Sequence, residues 1–381
     1  MAEFKQYFLL DPDVHFLNHG SFGATPKPVF AEYQRWQSEL ERQPVEFLGR
    51  RFTGLLAESR SVLGKYLGTS AGNLVYTQNV TISLNIIARS LELGSGDEVL
   101  TSDHEYGAMD RMWRFLSSER GFTYINQSVD LTSHEAFVES FWRAVTSRTR
   151  VIFLSHIASP TAVIFPVEEI VRRAREAGII TIMDGAHVAG QLPLHLDSLG
   201  ADFYGGNLHK WLCAPKGAGF LYARPEMQHL IKPLVASWGY ESETPSGSTF
   251  IDYNEWWGTR DISAFLAVPA AIEFQAKHNW EDVLVACHEL VKDAQARISD
   301  LTGLAPLHSQ SEKWFAQMAS ALLPADTDTV ALKSLLYKEH RVEIPLTKWK
   351  DKKLIRVSIQ AYNSKEDVDA LLNALSVLLH G

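Results

Sequence analysis

A lysine sits in Asn207-Leu208-His209-Lys210-Trp211, just before the turn Pro215-Lys216-Gly217-Ala218-Gly219. An amine that is to bond a carbonyl carbon must first lose its proton, so Lys210 needs a pocket that lowers its pKa. The glycines beyond it let the main chain pass close to a ligand. On its own, such a lysine is as well explained as a solvated surface residue. Met183-Asp184-Gly185-Ala186-His187 ends an apolar run on a carboxylate. If buried there, Asp184 needs a cation beside it, although an aspartate in that place could equally cap the next helix.

Three further segments carry usable chemistry. Thr77-Gln78-Asn79-Val80-Thr81 reads as a strand-to-helix turn. Main-chain N–H groups at a helix start bind phosphate, and a hydroxyl adds a donor. Capping by Asn79 or Thr81 is the simpler reading of that turn alone. Asp103-His104-Glu105-Tyr106-Gly107 brings a ring that could stack on a planar group and a hydroxyl that could donate a proton. Arg356, in Ile355-Arg356-Val357-Ser358, offers the fork that best fits a carboxylate, unless it is a surface residue on an edge strand. A lysine, a carboxylate and a phosphate turn together suit pyridoxal phosphate (PLP). Its protonated ring nitrogen is the cation Asp184 requires, and the ring can absorb the electrons of an α-carbanion.

The elements that must position these residues alternate. Strands are expected at Leu74–Thr77, Glu98–Thr101, Val151–Ser155, Ile179–Met183, Asp202–Tyr204 and Gly219–Tyr222. Helices are expected at Val80–Ser90, Met109–Glu119 and Val167–Ala177. A capping box from Thr132 to Glu135 opens another helix, running to about Val145. Such alternation implies an α/β fold with an open, mostly parallel sheet covered by helices on both faces. Ligands bind such sheets beyond the carboxyl ends of the strands, where the residues above fall. Past Arg260 the pattern changes to two long helices, Ile262–Lys277 and Trp280–Leu301. Short strands follow near Phe315–Met318 and Leu354–Ser358, then a helix from Lys365 to about Leu379. We therefore expect a large domain over residues 16–260 and a smaller α+β domain over 261–381, with 1–15 packing against the latter.

The 381 residues carry a formal net charge of −9, which argues against a nucleic-acid partner. No apolar run approaches the roughly 18 residues needed to span a bilayer, and the start lacks a secretory pattern. A cytoplasmic setting is expected, since the two cysteines, Cys213 and Cys287, form no metal-binding or disulfide pattern. No metal is expected.

The combination resembles the class V PLP-dependent aminotransferases of fold type I. Within them it is similar to the isopenicillin N epimerase-like branch. Phe16-Leu17-Asn18-His19-Gly20-Ser21-Phe22-Gly23-Ala24, His104-Glu105-Tyr106-Gly107-Ala108 and Trp257-Gly258-Thr259-Arg260-Asp261 carry that likeness. The resemblance implies that Lys210 bonds PLP as a Schiff base, with His209 before it, and that Asp184 partners the ring nitrogen. It puts His187 at the ring 3′-oxygen. Ser159 stands where related desulfurases have an asparagine at that oxygen. Asn79, Val80, Thr81 and Asn207 fall at the phosphate, and His104 or Tyr106 over the ring. Gly258 and Thr259 would reach the phosphate of a neighbouring subunit, which implies a homodimer with shared sites. Asn18, His19, Gly20 and Tyr106 would lie toward the substrate, with Arg356 on its α-carboxylate.

An amino-acid substrate follows from the same resemblance. Lys210 would remove the α-proton while Asp184 and the ring stabilise the carbanion. Tyr106 or His104 would return a proton from the other face in an epimerase or racemase. Loss of a β-substituent would make the chain a C–S lyase of cysteine-derived conjugates or sulfoxides. Transamination, or PLP binding without catalysis, are further alternatives. A desulfurase making a protein persulfide is not expected, because residues 300–360 contain no cysteine.

Overall fold

The computed structural model describes residues 2–309, 311 and 313–380. In chain order the strands are β1 (His15–Phe16), β2 (Leu74–Thr77), β3 (Glu98–Ser102), β4 (Thr123–Gln127), β5 (Thr149–Ser155), β6 (Ile180–Gly185), β7 (Phe203–Asn207), β8 (Gly219–Ala223), β9 (Met318–Leu323), β10 (Val342–Glu343), β11 (Leu346–Trp349) and β12 (Lys352–Ser358). The fold is α/β.

Among the described residues, β2 to β8 form one sheet in the order β2-β8-β7-β6-β5-β3-β4. β8 runs antiparallel to β2 and β7, and every other pair is parallel. The carboxyl ends of β2, β3, β5, β6 and β7 therefore share one edge, where β8 begins. The middles of β5 and β6, Val151–Leu154 and Ile182–Met183, are apolar because both faces are covered. Ile152, Leu154 and Met183 enter one core cluster, while Val151, Phe153 and Ile182 enter another on the opposite face.

The smaller sheet is antiparallel, in the order β11-β12-β9. Helix Trp280–Thr302 packs on it with buried Val291, Ala294 and Ile298. The N-terminal segment threads between the two regions. β1 pairs with β10, and the Leu17 carbonyl accepts the Ser358 N–H at 3.0 Å.

Several expectations shift. The helix after Thr132 is His134–Trp142, and its cap is Ser133, whose side chain accepts from Ala136 N. Thr132 N donates to Asp130 Oδ1 at 2.9 Å, so Thr132 belongs to the turn before the helix. The helix expected over 262–277 is two, Ser263–Leu266 and Val268–Lys277, with Pro269 fixing the second start. The strand expected near Phe315–Met318 lies further along, at Met318–Leu323. β12 is the middle strand of its sheet, and Arg356 is 4% exposed, so the surface reading of that arginine fails. Helices Lys27–Arg42 and Phe52–Tyr66 and strand β4 had not been anticipated. No described helix is long and apolar enough to cross a membrane.

Arg60, on helix Phe52–Tyr66, pairs with Glu255 away from water. Removing one partner strands the other charge. Glu255→Ala should cost about 3–5 kcal/mol and lower the thermal unfolding midpoint, whereas the paired change Arg60→Met with Glu255→Leu should cost far less.

Candidate active site

Lys210 lies three residues beyond Asn207, the last of β7, and its position is held through the main chain. Its carbonyl is 3.0 Å from His19 Nε2, so that nitrogen donates. His19 Nδ1 then accepts from the Tyr362 hydroxyl at 2.9 Å. Burial holds this imidazole neutral, with its pKa lowered to about 3. Gly23, at φ +70°, passes so close that a Cβ would fall 2.0 Å from His209 O and 2.9 Å from Lys210 Cα. Only glycine fits both the conformation and the space.

The Lys210 side chain enters a cavity of about 490 Å³ at the carboxyl edge of the large sheet. Desolvation, and then Arg356, lower its pKa, while Asp184 opposes them. Asp184, next to last in β6, has its pKa raised by burial, although the Ala186 N–H donates to Oδ1 at 2.9 Å. A buried carboxylate of this kind gains most from a cation placed beside it. His187 Nε2 stands 3.2 Å from Lys210 Nζ.

At another side of the cavity, helix Val80–Ser90 begins. Its first N–H groups are nearly all engaged: Val80 donates to Asn207 Oδ1 at 2.9 Å, Ile82 to Asn79 Oδ1 at 3.1 Å and Ser83 to Asn79 O. Among the described residues, that of Thr81 is left for a ligand. The Asn79 side chain is thus spent as the helix cap, and the Val80 N–H is engaged by Asn207.

Arg356 reaches the cavity from β12. Its Nη1 donates to Ser159 O at 2.6 Å and Oγ at 3.1 Å, and Nη2 to Ser21 Oγ at 3.3 Å. Its Nε is buried with no partner among the described residues. Ser159 lines the cavity, and its Oγ accepts from Arg356 while its hydroxyl hydrogen can still donate.

The cavity gathers Gly20, Asn79, Val80, Thr81, Tyr106, Ser159, Asp184, His187, Asn207, His209, Lys210 and Arg356. It does not gather the rest. His104 is fully buried behind it, bonded to Thr161 Oγ1 at 2.9 Å, with its ring 4.2 Å from that of Trp349. Of the two residues expected over the ring, only Tyr106 lines the cavity. Asn18 donates to Glu343 Oε1 at 2.9 Å, and His19 supports the Lys210 main chain, so neither lines it. Gly258 and Thr259 are not in its wall within this chain either.

Sequence reading missed Ser21, Phe22, Ser155 and Thr347, which also line the cavity. Glu105 was within a named segment but went unassigned. Its carboxylate accepts from Ser102 Oγ at 2.6 Å and from Ser155 N and Oγ at 2.9 and 2.6 Å, and burial pushes its pKa up to about 7. It pins the Tyr106 loop to the ends of β3 and β5.

Residues 24–371 match the family Aminotransferase class-V. The chain is 35% identical to the isopenicillin N epimerase of Amycolatopsis lactamdurans, covering 99% of this chain and 98% of that one. The chain belongs to the class-V aminotransferase family. Its members work with PLP, and this one is a PLP-dependent enzyme. The chain is also 26% identical to the hercynylcysteine sulfoxide lyase of Schizosaccharomyces pombe, over 79% of this chain and 78% of that one. The cysteine desulfurase CsdA of Escherichia coli has the same fold. Its TM-score is 0.83 at 21% identity, over 99% of this chain and 98% of that one.

The cavity residues fit that cofactor on their own chemistry. An amine, an underpaired carboxylate and an unsatisfied helix N–H meet in one space, and the buried Arg356 Nε awaits an acceptor. The cysteines do not join them: burial pushes the Cys213 and Cys287 thiols each up to about 12. Neither thiol should react with an aromatic disulfide reagent in the native protein, and both should react after denaturation. A fast native reaction would show that one is exposed.

Proposed function

We propose that this enzyme removes the α-proton of an amino acid and returns one to the opposite face, as an epimerase or racemase similar to isopenicillin N epimerase. The amine of Lys210, set among Asp184, His187 and Arg356 in one cavity, is the observation that carries the proposal. Near-full-length identity of 35% to an isopenicillin N epimerase supports it.

Bound PLP supplies the electron sink that loosens the α-C–H bond. Asp184 holds the proton on the ring nitrogen, since its burial makes a cationic partner favourable. The Thr81 N–H and hydroxyl and the Asn207 side chain hold the phosphate. His187 donates to the ring 3′-oxygen. Arg356 clamps the α-carboxylate, with Ser159 and Ser21 fixing its guanidinium. Lys210, its pKa lowered by burial, is neutral over a larger share of the working pH range and takes the α-proton at Nζ. Tyr106 is the residue proposed to supply a proton to the other face. Gly20 and Phe22 border the substrate. Gly258 and Thr259 reach the phosphate of a partner subunit in a homodimer, and the setting is the cytoplasm.

The likeness to a sulfoxide lyase favours C–S cleavage as the second reading. It needs the same α-proton removal, followed by departure of a sulfur substituent instead of reprotonation. Both buried thiols sit far above the nucleophilic range, which speaks against persulfide transfer.

The PLP-loaded protein should be given L- and D-amino acids and cysteine conjugates while chirality, pyruvate and ammonia are followed. Loss of chirality without pyruvate is expected, and its disappearance in Lys210→Ala. Pyruvate release would select the lyase reading, and visible cofactor absorbance without turnover would select a binding protein. Arg356→Ala should weaken apparent substrate affinity roughly 10- to 100-fold, the worth of a charge-assisted hydrogen bond. Activity that rises with pH through a midpoint below that of an ordinary lysine is expected from Lys210, because only its deprotonated form accepts the proton.

A further inference from the structure

The indole of Trp211 has no role in the function proposed above, yet it touches His187, whose imidazole lies within hydrogen-bond reach of Lys210 Nζ. Trp211 Nε1 lies 3.2 Å from His187 Nδ1. An indole N–H donates and never accepts. His187 Nδ1 must therefore present its lone pair, which leaves the ring hydrogen on Nε2. Both residues are buried, Trp211 at 0% and His187 at 1% exposure.

We propose that Trp211 is a positioning residue that locks His187 in one tautomer, so that His187 meets Lys210 and the cofactor as a hydrogen-bond donor only.

The surroundings give the ring no way out. The Trp211 carbonyl accepts from Gln275 Nε2 at 2.9 Å. Gly190, at φ +92°, lies against the same main chain, where a Cβ would come within 2.3 Å of Trp211 C. The ring of His19 packs 5.0 Å from that of Trp211. The His187 carbonyl accepts from Gln191 Nε2 at 2.6 Å. The charged or titratable groups that bear on His187 are Lys210, Arg356 and His19, and together with burial each disfavours an imidazolium. Asp184 acts on Lys210 and lies in the same cavity.

Two consequences follow. An Nε2–H set 3.2 Å from Lys210 Nζ finds a lone pair on a neutral amine but only hydrogens on an ammonium. The tautomer therefore favours the neutral lysine. His187 also has no free lone pair at Lys210, so a proton gathered by the lysine is not passed to it. Instead His187 offers its N–H to an acceptor in the cavity, the ring 3′-oxygen in the proposed function. Only this last consequence rests on that proposed function.

The test is long-range proton–nitrogen NMR of the full-length protein labelled with ¹⁵N-histidine, recorded with and without PLP, with His187 assigned by its loss in His187→Gln. Wild-type His187 should appear as the single Nε2–H tautomer and stay neutral down to a pH of about 6, where an ordinary histidine is largely charged. In Trp211→Phe, which keeps a ring but removes the donor, the single tautomer should give way to a mixture. The pH midpoint of the bound cofactor's absorbance should shift as well. A wild-type Nδ1–H tautomer or imidazolium overturns the proposal, whether or not the variant folds. So does an unchanged tautomer in a folded Trp211→Phe. An Nε2–H tautomer in a chain that fails to bind PLP would uphold the inference and sink the proposed function instead.

Discussion

A lysine that must work as a neutral amine has to be kept from water without being walled off from its ligand. The fold meets that constraint through the main chain of residues 209–211. Sheet β7–β8 brings the segment to the edge, His19 grips the Lys210 carbonyl, and Gly23 lets the N-terminal segment run across it. The side chain can then point into a cavity lined from both sheets. Arg356, from the small sheet, lowers the affinity of Lys210 for its proton and, among the described residues, keeps a buried Nε without a partner. The N-terminal segment, the large sheet and the small sheet are all needed to hold one amine in this state.

The same logic explains the paired departures from ordinary titration. Burial disfavours charge on Lys210 and on Asp184 alike, so each gains from a ligand that supplies what its surroundings lack. Perturbed groups of opposite sign within one cavity are what a site for a charged, planar cofactor requires. Residues just behind the wall do the aligning. Glu105 ties the Tyr106 loop to two strand ends, and Ser159 orients the arginine.

Much of this was legible in the sequence because strand ends and helix starts carry strong local signals. β2, helix Val80–Ser90 and the apolar runs of β5 and β6 follow from periodicity and burial on both faces. Lys210, Asp184 and Arg356 were identifiable from their order and spacing together, since each alone also fits an ordinary surface or capping role. Failures arose where spacing could not reveal direction. His104 and Tyr106 are two residues apart, yet one is buried against Trp349 and the other lines the cavity. Asn18 and His19 were singled out for the substrate, but Asn18 bonds the Glu343 side chain, His19 bonds the Lys210 carbonyl, and neither lines the cavity. Asn79 caps its helix through Oδ1, as the simpler reading of that turn had it, and also lines the cavity. Ser21 lay inside a singled-out segment without a role, and Thr347 had no local signal, since long-range packing brings both to the site.

The central claim is that Lys210 is the lysine that bonds the cofactor. Borohydride reduction of the PLP-loaded protein, followed by proteolysis and mass spectrometry, tests it most directly. The account predicts a pyridoxyl group on the peptide containing Lys210 and on no other lysine in stoichiometric yield. Label on a different lysine, or none in a protein that demonstrably holds PLP, would contradict it.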